Sequence, residues 1–113
     1  MPLLTMPSTT ATWSSTEEAI AREAFRVSYA REVESMMAEV KRQASEASDP
    51  EALWQLNDFL SARRHYLDGK YDFHPESLVF TLAQLVKESW LSIGELDGLS
   101  ADKISKIRVL SFM

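Results

Sequence analysis

Between Ser15 and Pro50 the chain holds neither proline nor glycine, and its apolar positions recur at helical spacing. Phe25, Tyr29, Val33, Met36 or Met37, Val40 and Ala44 fall three or four residues apart, as one face of a helix requires. Ser15 and Glu18 fit a capping box at its start. A helix of about 33 residues is ~50 Å long, whereas the radius of a 100-residue globule implies a span of only ~26 Å. Either the helix breaks near Ala44–Ser48, or its stripe is buried against a second chain. The reach of the stripe favours the second chain.

Asp49 and Pro50 read as the cap and first residue of a second helix. That helix is expected to end at Leu67 or Asp68, with Gly69 as its stop. At ~100° per residue, Leu53, Leu56, Leu60 and Leu67 share an arc of roughly 60°, which Phe59 and Tyr66 widen. Trp54, Asp58, Ser61 and His65 share another arc, with Asn57 and Arg64 between the two. Trp54 either extends the core sideways or belongs to an interface, where aromatics and Arg are enriched. Lys70 to His74 reads as a loop. Pro75 opens a third helix to about Leu91. Its arc is Leu78, Val79, Leu82, Ala83, Leu85, Val86 and Trp90. Phe80 points roughly opposite, either buried by another helix or exposed for a partner. Gly94 and Gly98 mark a turn. Ser100 caps a last helix, Ala101 to about Phe112, with Ile104 and Ile107 inward and Lys103, Lys106 and Arg108 on a basic side. Strand signals are weak throughout, so the fold class is all-α. Residues 1–12, with Pro2 and Pro7, read as a disordered tail.

The 113 residues suit one domain, and the 45% hydrophobic and 26% charged content is ordinary for a globular protein. A net charge of -5 argues against a nucleic-acid partner, which needs a basic face. There is no transmembrane-length apolar run and no signal-peptide pattern, so the expected location is cytoplasmic, with no membrane insertion. Without cysteine, disulfides, thiolate catalysis and thiolate metal sites are excluded. His65 and His74 are nine residues apart and match no helical metal spacing. No cofactor is expected.

Asp58, Ser61 and His65 superficially supply a hydrolytic triad. Asp58 and His65, however, lie ~10 Å apart along a helix axis, too far for the direct hydrogen bond that orients a catalytic base. No glycine-rich turn stands nearby to form an oxyanion hole. The acidic residues of the first helix, among them Glu17 and Glu32, read mostly as solvated faces. The chain is therefore read as non-enzymatic.

Four blocks then carry a resemblance: Leu-Trp-Gln-Leu-Asn-Asp-Phe-Leu-Ser-Ala-Arg-Arg-His at 53–65, Asp-Gly-Lys-Tyr-Asp at 68–72, Phe-Thr-Leu-Ala-Gln-Leu-Val-Lys-Glu at 80–88 and Leu-Ser-Ala-Asp-Lys-Ile-Ser-Lys-Ile at 99–107. In this order and spacing they resemble the cyanobacterial fluorescence recovery protein family, and the similarity spans Trp13 to Leu110. The resemblance implies an all-α, non-catalytic regulator with long antiparallel helices that form a homodimer (13–68) and a small C-terminal helical head (69–113). Its implied partner is the photoactivated, red orange carotenoid protein, bound through the partner's C-terminal domain near thylakoid-attached phycobilisomes. Binding would speed return to the orange form and detachment from the antenna, so that fluorescence recovers. The resemblance maps the dimer and functional patch onto Trp54, Asp58 and Arg64, with Leu53, Asn57 and His65 beside them. It maps partner binding onto Phe80 and Lys106, and Lys103 and Arg64 are expected to join them. Some relatives carry His where this chain has Asn57, which cannot titrate. A general dimeric helical adaptor shares every feature except the four blocks.

Overall fold

The first helix, α1, runs Ser15–Glu46 over 32 residues in the computed structural model, which describes residues 12–113. The expected tail lies outside those residues apart from Thr12, whose carbonyl accepts a 2.6 Å hydrogen bond from Lys103 Nζ. Two overlapping capping boxes are possible at Ser14-Ser15-Thr16-Glu17-Glu18, and the helix uses Ser14 with Glu17, one residue earlier than expected. Tertiary contacts decide this: Glu17 also accepts from the Ser100 backbone N–H at 2.9 Å and pairs with Lys103.

After a three-residue break, α2 runs Pro50–Lys70, capped by the Asp49 side chain on the Ala52 N–H. It continues through Gly69, because Lys70 and Tyr71 just beyond are fastened to α1 by Glu32. A 3-10 turn, Pro75–Ser77, leads into α3, Leu78–Lys87. This helix ends a turn before Leu91, in a Schellman arrangement. The Ser89 N–H reaches the Val86 carbonyl and the Trp90 N–H the Leu85 carbonyl, each at 3.0 Å, with Ser89 left-handed at φ 69. A second 3-10 turn, Ile93–Leu96, precedes α4, Ala101–Ser111, capped by Ser100. Gly98 sits at φ 107 with Ile20 packed so close that an added Cβ would lie 2.5 Å from Cδ1. No strand occurs among the described residues, and the fold is all-helical.

The core lies at one end. Ala21, Ala24 and Phe25 of α1 meet Leu78, Leu82, Ala83 and Leu85 of α3, then Leu91, Leu96, Leu99 and Ile107. The buried side of α1 is lined by Glu17, Ala21, Ala24, Phe25, Ser28 and Glu32, of which only Phe25 belongs to the expected stripe. Alanine and serine let helices approach closely but barely register in a hydrophobic pattern. Of the stripe, Phe25 is buried, Val33, Met36 and Val40 are half-buried, and Tyr29, Met37 and Ala44 are exposed. The far half of α1 and most of α2 form a two-helix arm, which stretches the molecule to 66 × 28 × 26 Å. The radius of gyration is 17.9 Å, against ~13 Å for a compact chain of this length. The head core thus draws on α1 as well as on residues 69–113.

Candidate functional site

Two surfaces keep large apolar side chains outside the core. On the arm, Leu53 is 53% and Trp54 62% exposed, and Leu60 is exposed beside them. Only Leu56 and Leu67 of the four leucines on the expected α2 core arc are buried. The side of α2 that faces the rest of the chain instead centres on Leu56, Phe59, Arg63 and Lys70. The arc therefore straddles an edge: one flank is covered within the chain and the other faces outward. Asn57, Asp58, Arg64 and His65 are all exposed on or next to that outward flank. Asp58, Ser61 and His65 share no hydrogen bond among the described residues.

On the head, Phe80 is 55% exposed although its α3 neighbours Leu78, Leu82 and Leu85 are buried. It lines a shallow groove of about 520 Å³ with Ala83, Gln84, Lys87, Glu88 and Leu110. Lys106 is exposed and pairs with Asp102 at 3.1 Å, one turn earlier on α4. Exposed pairs of this kind contribute little and open readily. Lys103 corrects the expected basic side. Its ammonium is buried, 3.1 Å from Glu17 Oε1 and 4.9 Å from the Trp13 ring centre, so it ties the N-terminus of α1 to α4. The Ser100 and Ser14 backbone N–H groups, then Lys103, hold the Glu17 carboxyl at about 2 against an ordinary 4.5.

A buried ionic junction joins arm to head. Lys70 and Glu32 side chains are each 3% exposed and lie 2.8 Å apart. Lys70 also holds Glu88, and the Tyr71 hydroxyl donates to Glu32 Oε1 at 2.7 Å. Gln84 Nε2 bridges the Tyr66 hydroxyl at 3.1 Å and Glu88 Oε2 at 3.0 Å. Burial favours neutral Lys70, but the hydrogen bonds it donates to Glu32 and Glu88 outweigh this and hold its pKa above the ordinary value. Burial, then the bond to Glu32, pushes Tyr71 strongly upward. Arg63 stacks nearby, 5.6 Å from the Tyr66 ring centre, with its Nε buried and without an acceptor among the described residues.

The sequence profile described as "Photoprotection regulator fluorescence recovery protein" matches residues 13–111. The chain belongs to the fluorescence recovery protein family. It is 46% identical over 101 residues to the Fluorescence recovery protein of Synechocystis sp. PCC 6803, covering 89% of this chain and 93% of that one. The solved structures of the Fremyella diplosiphon and Synechocystis proteins each superpose with a TM-score of 0.83 at 44% identity, over 90% of this chain and all of theirs. The family is one of photoprotection regulators, and the matched span includes both uncovered surfaces and the ionic junction.

Sequence reasoning had singled out Trp54 and Phe80 as out of place, and both are exposed in the single chain. It missed Glu17, Glu32 and Lys70. Charged residues read as solvated unless a tertiary partner is known, and these partners lie 86 and 38 residues away. No metal-ligating group of three side chains occurs among the described residues, and no described helix is long and apolar enough to cross a membrane.

Proposed function

We propose that this chain is a non-enzymatic regulator that binds the photoactivated, red orange carotenoid protein through that partner's C-terminal domain. Binding accelerates return to the orange form and detachment from the phycobilisome, which restores antenna fluorescence. The observation that carries the reading is Phe80, the one large apolar side chain of α3 held more than half exposed, over a groove in a chain of this family. Phe80 enters an apolar surface that photoactivation uncovers in the partner. Lys106 exchanges Asp102 for an acidic group beside it. Lys103 supports this face from within. A regulator speeds relaxation by binding the intermediate arrangement better than the starting one.

The chain acts as a homodimer through the arm. A second copy covers Leu53, Trp54 and Leu60, and Asp58 and Arg64 pair under the indole, with Asn57 and His65 at the edge.

The test follows the orange absorbance of photoconverted carotenoid protein in the dark, with substoichiometric amounts of this chain. Faster recovery with turnover is the expected result, and Phe80→Ala slows it. An unchanged recovery rate with folded protein overturns the reading and leaves a general helical adaptor.

A further inference from the structure

Groove and charge meet on the head at a point that Phe80 and Lys106 do not account for. A second groove, about 340 Å³, lies beside the first and is lined by Val86, Lys87, Ile93, Arg108, Ser111 and Phe112. Lys87 lines both. It stands seven residues after Phe80, on the same face of α3, since two helical turns take ~7 residues. Neither Lys87 nor Arg108 has a carboxylate partner among the described residues, and the first eleven residues contain no Asp or Glu. Among the described residues the one carboxylate on the groove walls, Glu88, is engaged by Lys70 and Gln84 rather than by Lys87 or Arg108. A chain with a net charge of -5 therefore presents two uncompensated cations on the rims of two adjoining apolar grooves.

We infer that the paired grooves form one docking surface, with Lys87 at its centre and Arg108 on its far side, for an acidic protein segment that also offers apolar side chains. This rests on the reading that the head docks the carotenoid protein, and it assigns the contacting segment of that partner a carboxylate-rich, apolar character. Phe80, Ala83 and Leu110 take one apolar side chain. Val86, Ile93 and Phe112 take the next. Lys87 and Arg108 meet the carboxylates between and beyond them. Rim charges of this kind act on association rate and on salt dependence as well as on affinity.

The test measures binding of the full chain to carotenoid protein held in its red form under light, for the parent, Phe80→Ala, Lys87→Glu, Arg108→Glu, the double reversal Lys87→Glu/Arg108→Glu, and Lys87→Arg. Each charge reversal is expected to weaken binding about tenfold. The parent loses affinity as salt rises, and the double reversal loses that salt dependence. Lys87→Arg keeps both. A merely structural role for Lys87 would leave the salt dependence unmoved. Lys87→Gln stands in should a reversal fail to fold, and is expected to weaken binding in the same direction. Parent-like affinity and salt dependence in both reversals, with Phe80→Ala weakened, overturns the paired-groove site and leaves the docking reading intact. A parent that does not bind at all removes both.

Discussion

In the head, Leu78, Leu82, Leu85, Leu96 and Ile107 are at most 1% exposed, whereas in the arm Leu53 and Trp54 are more than half exposed on the same kind of amphipathic helix. The two regions differ in what is available to cover them. Three short helical segments fold back over the first half of α1 and close a core there. Along the far half of α1 only α2 lies alongside among the described residues, and two helices can bury only the faces they share. Apolar area left in water forgoes about 25 cal/mol per Å², so an arm of this length is an incomplete structure in a way the head is not. The head's exposed apolar side chains are a minority beside a filled core. On the arm Met37, Leu53, Trp54, Leu60 and Tyr66 are exposed, and only Leu56 and Leu67 of its large apolar side chains are buried.

The contrast can be broken most severely on the arm. Burial of each leucine contributes about 1.5–3 kcal/mol, and the proposed pair of chains would bury Leu53 and Leu60 twice over. The double substitution Leu53→Glu/Leu60→Glu is expected to give single chains in light scattering while the helical circular dichroism of the head is retained. A variant that keeps the parent mass would mean that another face of the arm is covered.

Next comes the junction between the regions. Lys70→Ala leaves Glu32 buried with only the Tyr71 hydroxyl, a loss expected to cost about 3–5 kcal/mol in urea unfolding. Lys70→Met, which fills the volume but also leaves the charge, should be nearly as severe. Lys70→Met with Glu32→Gln should recover much of the loss, because burying neutral groups removes the desolvation cost. A loss below 1 kcal/mol in the alanine variant would mean that water reaches Glu32.

Two carboxyls of the head give its stability a pH signature. Glu17, held by the Ser100 and Ser14 backbone N–H groups, and Glu95, held by Arg31 and the Ser92 N–H, each sit near about 2 instead of 4.5. A depressed carboxyl contributes stability above its unfolded value, and that contribution is lost as pH falls toward the folded value. Unfolding midpoints should therefore drop through the window from 4.5 down to about 2. Glu17→Gln should flatten the slope and leave the share that comes from Glu95. An equal slope in parent and variant would remove Glu17 from the account.

The smallest effect is local. Ser89 occupies a left-handed position that glycine fills without steric cost. Ser89→Gly should raise stability by about 0.5–1 kcal/mol, read as a shift in urea midpoint with an unchanged slope. No gain would mean that the serine side chain compensates.

Much of this architecture was legible from punctuation. Asp49-Pro50 and Ser100 start helices where expected, because caps and proline act within one turn of chain. The ends that failed were set by distant contacts. Glu17 chose between two capping boxes through Ser100 and Lys103, and α2 ran past Gly69 because Lys70 and Tyr71 are tied to Glu32. Helix α3 stopped early at a serine doing the work of a glycine, which carries no sequence signal. Trp54 and Phe80 were legible as candidate site residues because large aromatics off a leucine stripe contradict the helical period. Lys103 was misread on the basic side because its charge gives no hint of a carboxylate 86 residues away.

The claim on which the rest depends is that the arm is completed by a second copy of the chain. Sedimentation equilibrium of the parent protein at micromolar concentration tests it most directly. The account predicts a mass twice that of the 12.8 kDa chain, falling to the single-chain value in Leu53→Glu/Leu60→Glu. A parent that sediments as one chain throughout that range would contradict it.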